Sequence, residues 1–434
     1  MKHGMRRAAA GLLAGLLLLT SGCSATGSTK ATAEAAGFTP QLDTEAAVQL
    51  DVLGFFGNFE ALDQVMNDFN QYYPNLTYSY QQVGGSAEEE YMDANPDVDL
   101  IMTSNDLLHG AGSTLAQRCV DLKEAGVDFA DVDDTMLRAS CIDGKQVSVP
   151  IGQNLYGVVA NTTLLEQEGL TLPQNQEELF DTLAALKEKG YTPLQGPTSK
   201  VYAELVENRL FASLCEGQPL RKALEAGDLE TARQEVLPLV ELVDTMVSQG
   251  YTDPALNDEY PDDNYDGAIL RFFEGDVPFW VCNTEKVGGM KKRESKSEAF
   301  QKNPFSYTFL ELPIGEEGTY LYREPWVGFA VNKTAAHADY AVEFIRFLAT
   351  RDESNRMADV KGVPSVAKSS TDPAVYRQVL AEDVLQKGIV NGGEVGPALV
   401  SSWYSIITQY VRGEYPSADE AAAAYVAACA EALG

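Results

Sequence analysis

The order of strand-like and helix-like segments between residues 47 and 434 predicts a mixed α/β fold divided into two lobes, and three observations carry that expectation. The chain opens as strand, loop, helix, strand and then a short, wholly apolar strand, the pattern of a buried parallel α/β unit. Its 434 residues, 45% hydrophobic and 9% aromatic, are enough for two substantial cores. Between residues 147 and 161 an apolar strand is broken by Pro150 and Gly152, a break suited to a segment that crosses between lobes.

Residues 48–55 begin with apolar side chains alternating at Val48, Leu50 and Val52 and open into Gly57-Asn58. Leu62, Val65, Met66 and Phe69 then recur at helical spacing and stop before Pro74. Residues 76–83 alternate as a second strand, and 98–102 form a short apolar run between Asp97 and Ser104. In doubly wound sheets ligands sit beyond the carboxyl ends of the strands. Residues 56–60 and 103–106 occupy those places, where Asn58 and Ser104 are also good helix caps.

Asp143-Gly144 reads as a tight turn before the broken strand. Helices are expected at 164–169, 179–189, 203–214 and 236–247, with Pro173 in a loop and Gly190 as a C-cap. A short helix at 268–273 ends at Gly275, and an apolar strand at 277–282 leads into Asn283-Thr284-Glu285. Strands follow at 307–312 and 326–331, then helices at 340–348, 400–411 and 418–433. No internal repeat is visible.

The N-terminus carries its own signal. Lys2, Arg6 and Arg7 precede an apolar run at 8–19 that ends in Thr20-Ser21-Gly22-Cys23, which reads as a secretory signal peptide over 1–22. The run is too short for a membrane-spanning helix of roughly 20 residues, and a small residue before a lone Cys resembles a bacterial lipobox, with Thr20 where Leu usually stands. Cys23 is thus expected to be lipidated and to anchor the chain to the outer face of the cell membrane. Residues 23–46, rich in Ala, Thr, Gly and Ser, read as a flexible tether.

The formal charge is −32, and residues 1–22 contribute +3 to it, leaving the remainder near −35. Such a field repels phosphate backbones and anionic lipid surfaces, which argues against a nucleic-acid partner and leaves the lipid as the only tie to the membrane. The one basic cluster, Lys291-Lys292-Arg293, reads as a solvated helix end balanced by Glu294 and Glu298. Five cysteines follow Cys23, an odd number, of which Cys119 and Cys141 are close enough in sequence for a disulfide.

Four stretches carry a family resemblance: the opening strand-loop-helix ending Asp68-Phe69-Asn70-Gln71-Tyr72-Tyr73-Pro74-Asn75; the block from Asp143-Gly144-Lys145 through Pro150-Ile151-Gly152 to Tyr156-Gly157 and Asn161; Phe273-Glu274-Gly275-Asp276-Val277-Pro278-Phe279; and the region around Trp403. In this order and spacing the chain resembles the extracellular sugar-binding proteins of ABC importers, the group that includes maltose-binding protein. The resemblance implies a periplasmic-binding-protein-like fold (type II), with lobe 1 formed by 47–152 plus 326–363 and lobe 2 by 153–325 plus 364–434. Crossings would lie near 150–156, 310–326 and 362–365, with a ligand cleft between lobes that close about a hinge. It also implies a monomer that hands its solute to the permease subunits of an ABC transporter and uses no cofactor.

A sugar offers vicinal hydroxyls and apolar C–H faces, so its site needs carboxylates or amides that bond in pairs and aromatic rings that cover the faces. Candidates near the expected cleft are Phe56, Asn58, Asn105, Asp106, Gln153, Asn154, Tyr156, Tyr202, Asn283, Glu285, Glu324, Trp326, Trp403 and Tyr404. Trp280, in an apolar strand, reads as core. In the resembling family an aromatic residue at the place of Trp403-Tyr404 stacks on a sugar ring. Glu285 and Glu324 could instead form surface pairs with Lys286 and Arg323.

A secreted glycoside hydrolase is a rival reading, since two carboxylates about a sugar suffice for hydrolysis. A non-sugar solute such as a polyamine, metal chelate or peptide is another, because fold does not fix ligand. Asp262, Asn264, Asp266 and Gly267 begin like a calcium loop, but Phe273 stands where the closing acid belongs, so Asp266 reads as a helix cap and no metal is expected. His109 and His337 are the only histidines beyond the signal segment, and no HExxH, P-loop or GxGxxG motif occurs.

Overall fold

The computed structural model describes residues 38–57, 59–84, 87–104, 107–108, 113–196, 201–253, 265–314, 321–368, 389–391 and 395–433. Two principal sheets organise them. In the first, the strand Val48–Gly54 runs parallel to Leu76–Gln82 and to Leu100–Thr103, with Val48 opposite Leu76 and Val52 opposite Leu100. Gly328–Val331 and Val149–Pro150 extend it in antiparallel fashion. Leu50 and Val52 share a core with Leu62, Val65 and Phe69 of the helix Glu60–Phe69 and with Phe344 and Phe347 of Ala338–Leu348. Leu53 and Ile101 face the other way, onto Met92 and Leu115. Burial on both faces explains the unbroken apolar run Leu100-Ile101-Met102 of the inner strand, whereas Leu76–Gln82, at the edge of the sheet, alternates between buried and exposed side chains.

The second sheet is centred on the nine-residue strand Gln153–Asn161. Phe279–Asn283 flanks it on one side, and Leu321–Pro325 and Tyr307–Leu310 share the other, all antiparallel. Period-two alternation divides its side chains cleanly. Val158 and Ala160 pack with Leu183, Leu210, Val240, Trp403 and Tyr425, whereas Leu155 and Val159 pack with Phe272, Trp280 and Phe309. Trp280 is core, as expected.

The chain leaves the first sheet at Pro150 and enters the second at Gln153, then returns between Pro325 and Gly328. Gly362, at φ 65°, ends the helix Arg351–Lys361 in the left-handed conformation that glycine adopts without penalty. Val363 and Val366 still belong to the first core and Ala367 bridges Val132, so residues 363–368 stay with the first half. The next described strand, Ile389–Asn391, lies in the second sheet.

Several expectations are corrected here. The tether is shorter than 23–46: Phe38 buries its ring against Phe69, Tyr72 and Phe347, and the Gln41 amide donates to Glu343 Oε1 at 2.8 Å. The helix expected at 203–214 is two, Val201–Glu204 and Glu207–Leu214. The strand expected at 326–331 begins at Gly328, because Trp326 and Val327 form the crossing. The helix at 236–247 starts earlier, at Leu229, where Asp228 accepts from the Thr231 amide, and it continues through Pro238. Cys119 and Cys141 are free thiols, not a disulfide. Cys119 is buried and donates to Leu115 O at 3.2 Å, while Cys141 pairs with Gln146 in the hairpin around Asp143-Gly144. Among the described residues no helix is long and apolar enough to cross a membrane.

Candidate ligand cleft at the crossings

The rim of the second sheet collects polar side chains because register and alternation place them on one face. Glu324 stands opposite Asn154, and Tyr156 lies between Tyr322 and Asn283 on the two neighbouring strands. The Tyr156 hydroxyl donates to Glu324 Oε1 at 2.5 Å and the Tyr322 hydroxyl to Oε2 at 3.5 Å, so two phenols orient one carboxylate. Burial first, and the charge of Glu324 second, hold the Tyr156 phenol well above its ordinary range, keeping it a donor. Asn208 locks the two strands: its Nδ2 donates to Tyr156 O at 3.2 Å and its Oδ1 accepts from the Tyr322 amide at 2.8 Å.

Behind this row, the Tyr404 hydroxyl donates to the buried Glu207. Burial first, and the negative charge of Glu204 second, push the Glu207 carboxyl well above the usual carboxylate range, against the opposing effect of the Tyr404 hydrogen bond. Asn154 Oδ1 is buried at the rim and accepts no hydrogen bond, an exception among buried polar atoms.

One network ties the crossings together. Gln153 donates through Nε2 to Ser365 O at 2.6 Å and through its amide to Pro364 O at 3.0 Å. Arg323 Nη1 donates to Gln153 Oε1 at 3.2 Å, and its guanidinium lies 3.6 Å from Asp133. Asp133 caps the helix Asp134–Ala139 of the first half, accepting from the amides of Thr135 and Met136. Three passes of the chain are thus held by one arginine, one aspartate and one glutamine.

The first half contributes an aromatic wall. Phe56 stacks on Phe59 with centroids 5.5 Å apart and planes 11° apart, and Trp326 lies 5.6 Å from Phe56 and 6.1 Å from Phe59. Lys361 Nζ sits over all three rings, 5.0 Å from Phe59 and 5.7 Å from both Phe56 and Trp326. The helix Thr284–Glu294 approaches from the second half. Gly288 lies so close to Gly362 O that a side chain there could not fit, and Lys292 Nζ reaches Glu60 Oε1 at 2.9 Å.

Of the residues expected from sequence, Gln153, Asn154, Tyr156, Asn283 and Glu324 gather at the rim of the second sheet, with Phe56 and Trp326 on the wall beside the crossing. Asn283 Oδ1 is engaged as a helix cap, accepting from the Lys286 amide at 3.2 Å. Glu285 lies in the first turn of that helix, and Tyr404 stands in the second row. Glu324 is bound by tyrosines, whereas Arg323 turns to Asp133. Tyr202 is 3% exposed and belongs to the second core. Trp403 is a correction: it is fully buried, donates Nε1 to Ala203 O at 3.0 Å and packs edge-on to Tyr425 at 5.2 Å. It presents no face to a cleft because it shares the core stripe of its helix with Leu399 and Ile407, four residues to either side.

Asn58, Asn105, Asp106, Cys23, His109, Asp262 and Asn264 lie outside the described residues. Asp266 is no cap; it lies in the first turn of its helix and pairs with Arg293 and Lys296. The basic cluster is fully paired, though only Lys291 pairs with Glu294 as expected. Among the described residues no group of three or more His, Cys, Asp or Glu side chains could hold a metal ion. Sequence reading missed Asp133, Glu207, Asn208, Tyr322, Arg323 and Lys361. Only Tyr322 carried a local signal, the alternation Tyr322, Glu324 entering the crossing.

The family profile of bacterial extracellular solute-binding proteins matches residues 64–380, nearly three quarters of the chain. No curated protein matches in a direct sequence search. Among solved structures, the GacH receptor of Streptomyces glaucescens, known unliganded and with acarbose, superposes with a TM-score of 0.66 at 16% identity, over 90% of this chain and 98% of that one. The sugar-binding protein MalE of Xanthomonas citri gives 0.65 at 17%, over 89% and 97%. A sugar transporter protein of Bacillus licheniformis, solved with stachyose, gives 0.61 at 17%, over 87% and 98%. At these identities the likeness is one of fold, a two-lobed α/β architecture, and together with the profile it establishes that the chain belongs to the bacterial extracellular solute-binding protein family.

Proposed function

We propose that this chain is the substrate-binding lipoprotein of an ABC importer, capturing a sugar or oligosaccharide between its lobes and delivering it, unaltered, to the permease. The observation that carries this reading is the rim of the second sheet: a carboxylate oriented by two phenols, beside an unpaired buried amide oxygen, across a crossing from an aromatic wall. Planar acceptors and donors in pairs suit vicinal hydroxyls, and aromatic faces suit sugar C–H groups. The bound stachyose and acarbose of its structural neighbours support the same ligand class. Lobe 1 would comprise the parts around the first sheet and lobe 2 those around the second, with the Arg323 network as the hinge tie.

Calorimetry against mono- and oligosaccharides, with a polyamine, a metal chelate and a peptide as controls, tests the proposal, and chromatography of the recovered ligand tests the absence of chemistry. Binding of a control alone would replace the sugar reading, and a hydrolysed sugar would replace the binding-only reading. The N-terminal segment supports anchoring through a lipid on Cys23, with the protein working as a monomer at the outer face of the membrane. Cys23→Ser should move the protein from the membrane fraction to the medium; full retention in the membrane would overturn the anchor.

A further inference from the structure

Lys361 occupies an unusual position. It is the last residue of its helix, fixed by the left-handed Gly362 that follows, so its stem projects from a defined point at the crossing. Its ammonium lies within 5.0–5.7 Å of the centroids of Phe56, Phe59 and Trp326, and no described carboxylate forms an ion pair with it. Two opposite charges are within electrostatic range, Glu60 and Glu285, but Glu60 is already engaged by Lys292 across the halves. A cation over aromatic faces is held by the ring quadrupole without a directional bond, and it covers the surface that a sugar ring would stack upon.

We propose that Lys361 is a displaceable plug on the aromatic wall, which an incoming sugar ring must push aside toward Glu60 and Glu285 before it can stack on Phe56 and Trp326. This rests on the reading of the cleft as a carbohydrate site. The plug sets a threshold: a ligand too small to reach the wall leaves the ammonium in place, and one long enough to reach it exchanges the cation–π contact for ring stacking. Burial holds the ammonium below its ordinary pKa range, and the attraction of Glu60 and Glu285 is partly offset by the like charge of Lys292.

The test compares Lys361→Ala, which uncovers the wall, with Lys361→Met, which keeps an apolar cover and removes the charge. With raffinose, stachyose and a maltooligosaccharide as calorimetric probes, Ala should tighten binding of the longer sugars roughly three- to tenfold, the size of a partly desolvated cation–π contact. Met should change it less. Weakening by both variants would make Lys361 a direct ligand donor and overturn the plug. A second measurement needs no ligand. Trp280 and Trp403 are buried within the second half and Trp326, 7% exposed, is covered at the wall, so a rise in acrylamide quenching on removing the Lys361 side chain reports chiefly on Trp326. Quenching should rise in Ala and not in Met. Unchanged quenching in Ala overturns the proposal even if no sugar binds, whereas an unplugged wall with no sugar bound by the wild type would overturn only the carbohydrate reading.

Discussion

Glu88 provides the sharpest energetic test of the fold. It lies in the first turn of the helix Glu88–Ala94, only 1% exposed, and both its carboxyl oxygens are buried without a hydrogen bond. Burial raises its pKa from 4.5 to about 8. A shift of that size corresponds to a linkage of up to about 5 kcal/mol. The sign follows from proton counting. Between the unfolded and folded values the native state holds the extra proton, so stability is fullest below about 4.5 and is lost as pH rises to and through about 8.

Glu88→Gln removes the titration while keeping the shape. Urea unfolding of wild type and variant between pH 5 and pH 9 should show the wild type losing several kcal/mol more than the variant across that range. The two curves should diverge most steeply between pH 5 and 8. Parallel curves would refute the reasoning, since they would mean that Glu88 is solvated or partnered in the native state.

The other expectations are quickly stated. Glu353, raised to about 7 chiefly by burial and then by the nearby Asp68, should add a smaller pH-dependent loss with the same sign, up to about 3 kcal/mol, removed in Glu353→Gln and read from the same unfolding series. Glu324→Gln should weaken sugar binding by roughly 10- to 100-fold, the worth of a charge-assisted hydrogen bond, with little change in Tm; unaltered affinity by calorimetry would take Glu324 out of the site. Trp403→Ala should cost about 3–5 kcal/mol of stability as a core truncation, measured by urea unfolding, while the affinity of the protein that stays folded changes little.

The parts of the fold that were legible in the sequence are those whose pattern is local. Val48, Leu50 and Val52 alternate and become a parallel strand, and Pro150 with Gly152 marks the first crossing. Polar helices escaped notice: Glu88–Ala94, Arg351–Lys361 and Thr284–Glu294 have too few apolar positions to show a helical stripe. The site was read in part. Adjacent aromatics at 403 and 404 point about 100° apart on a helix, and only the spacing of Leu399, Trp403 and Ile407 says which of the two is core. Asn208 bracing two strands, Asp133 meeting Arg323 and Lys361 covering three rings each join residues distant in sequence, and no local pattern announces such partners.

The stretch from Tyr322 to Trp326 explains how binding and hinge motion can be one event. Alternation along the strand sends Tyr322 and Glu324 to the rim proposed to meet a ligand and Arg323 to the tie with Asp133 and Gln153. Two residues beyond Glu324, the chain has left the second sheet and Trp326 is packed into the wall of the first half, its amide held by Gly152 O at 2.9 Å. On the proposed reading, a hydroxyl group bound to Glu324 would pull on a strand whose next residues are anchored in the opposite half. Because that strand is paired residue by residue with Gln153–Tyr156, the two crossings would move together, and in the proposed closure the ligand's differential contacts would act on the relative position of the halves instead of on local rearrangement.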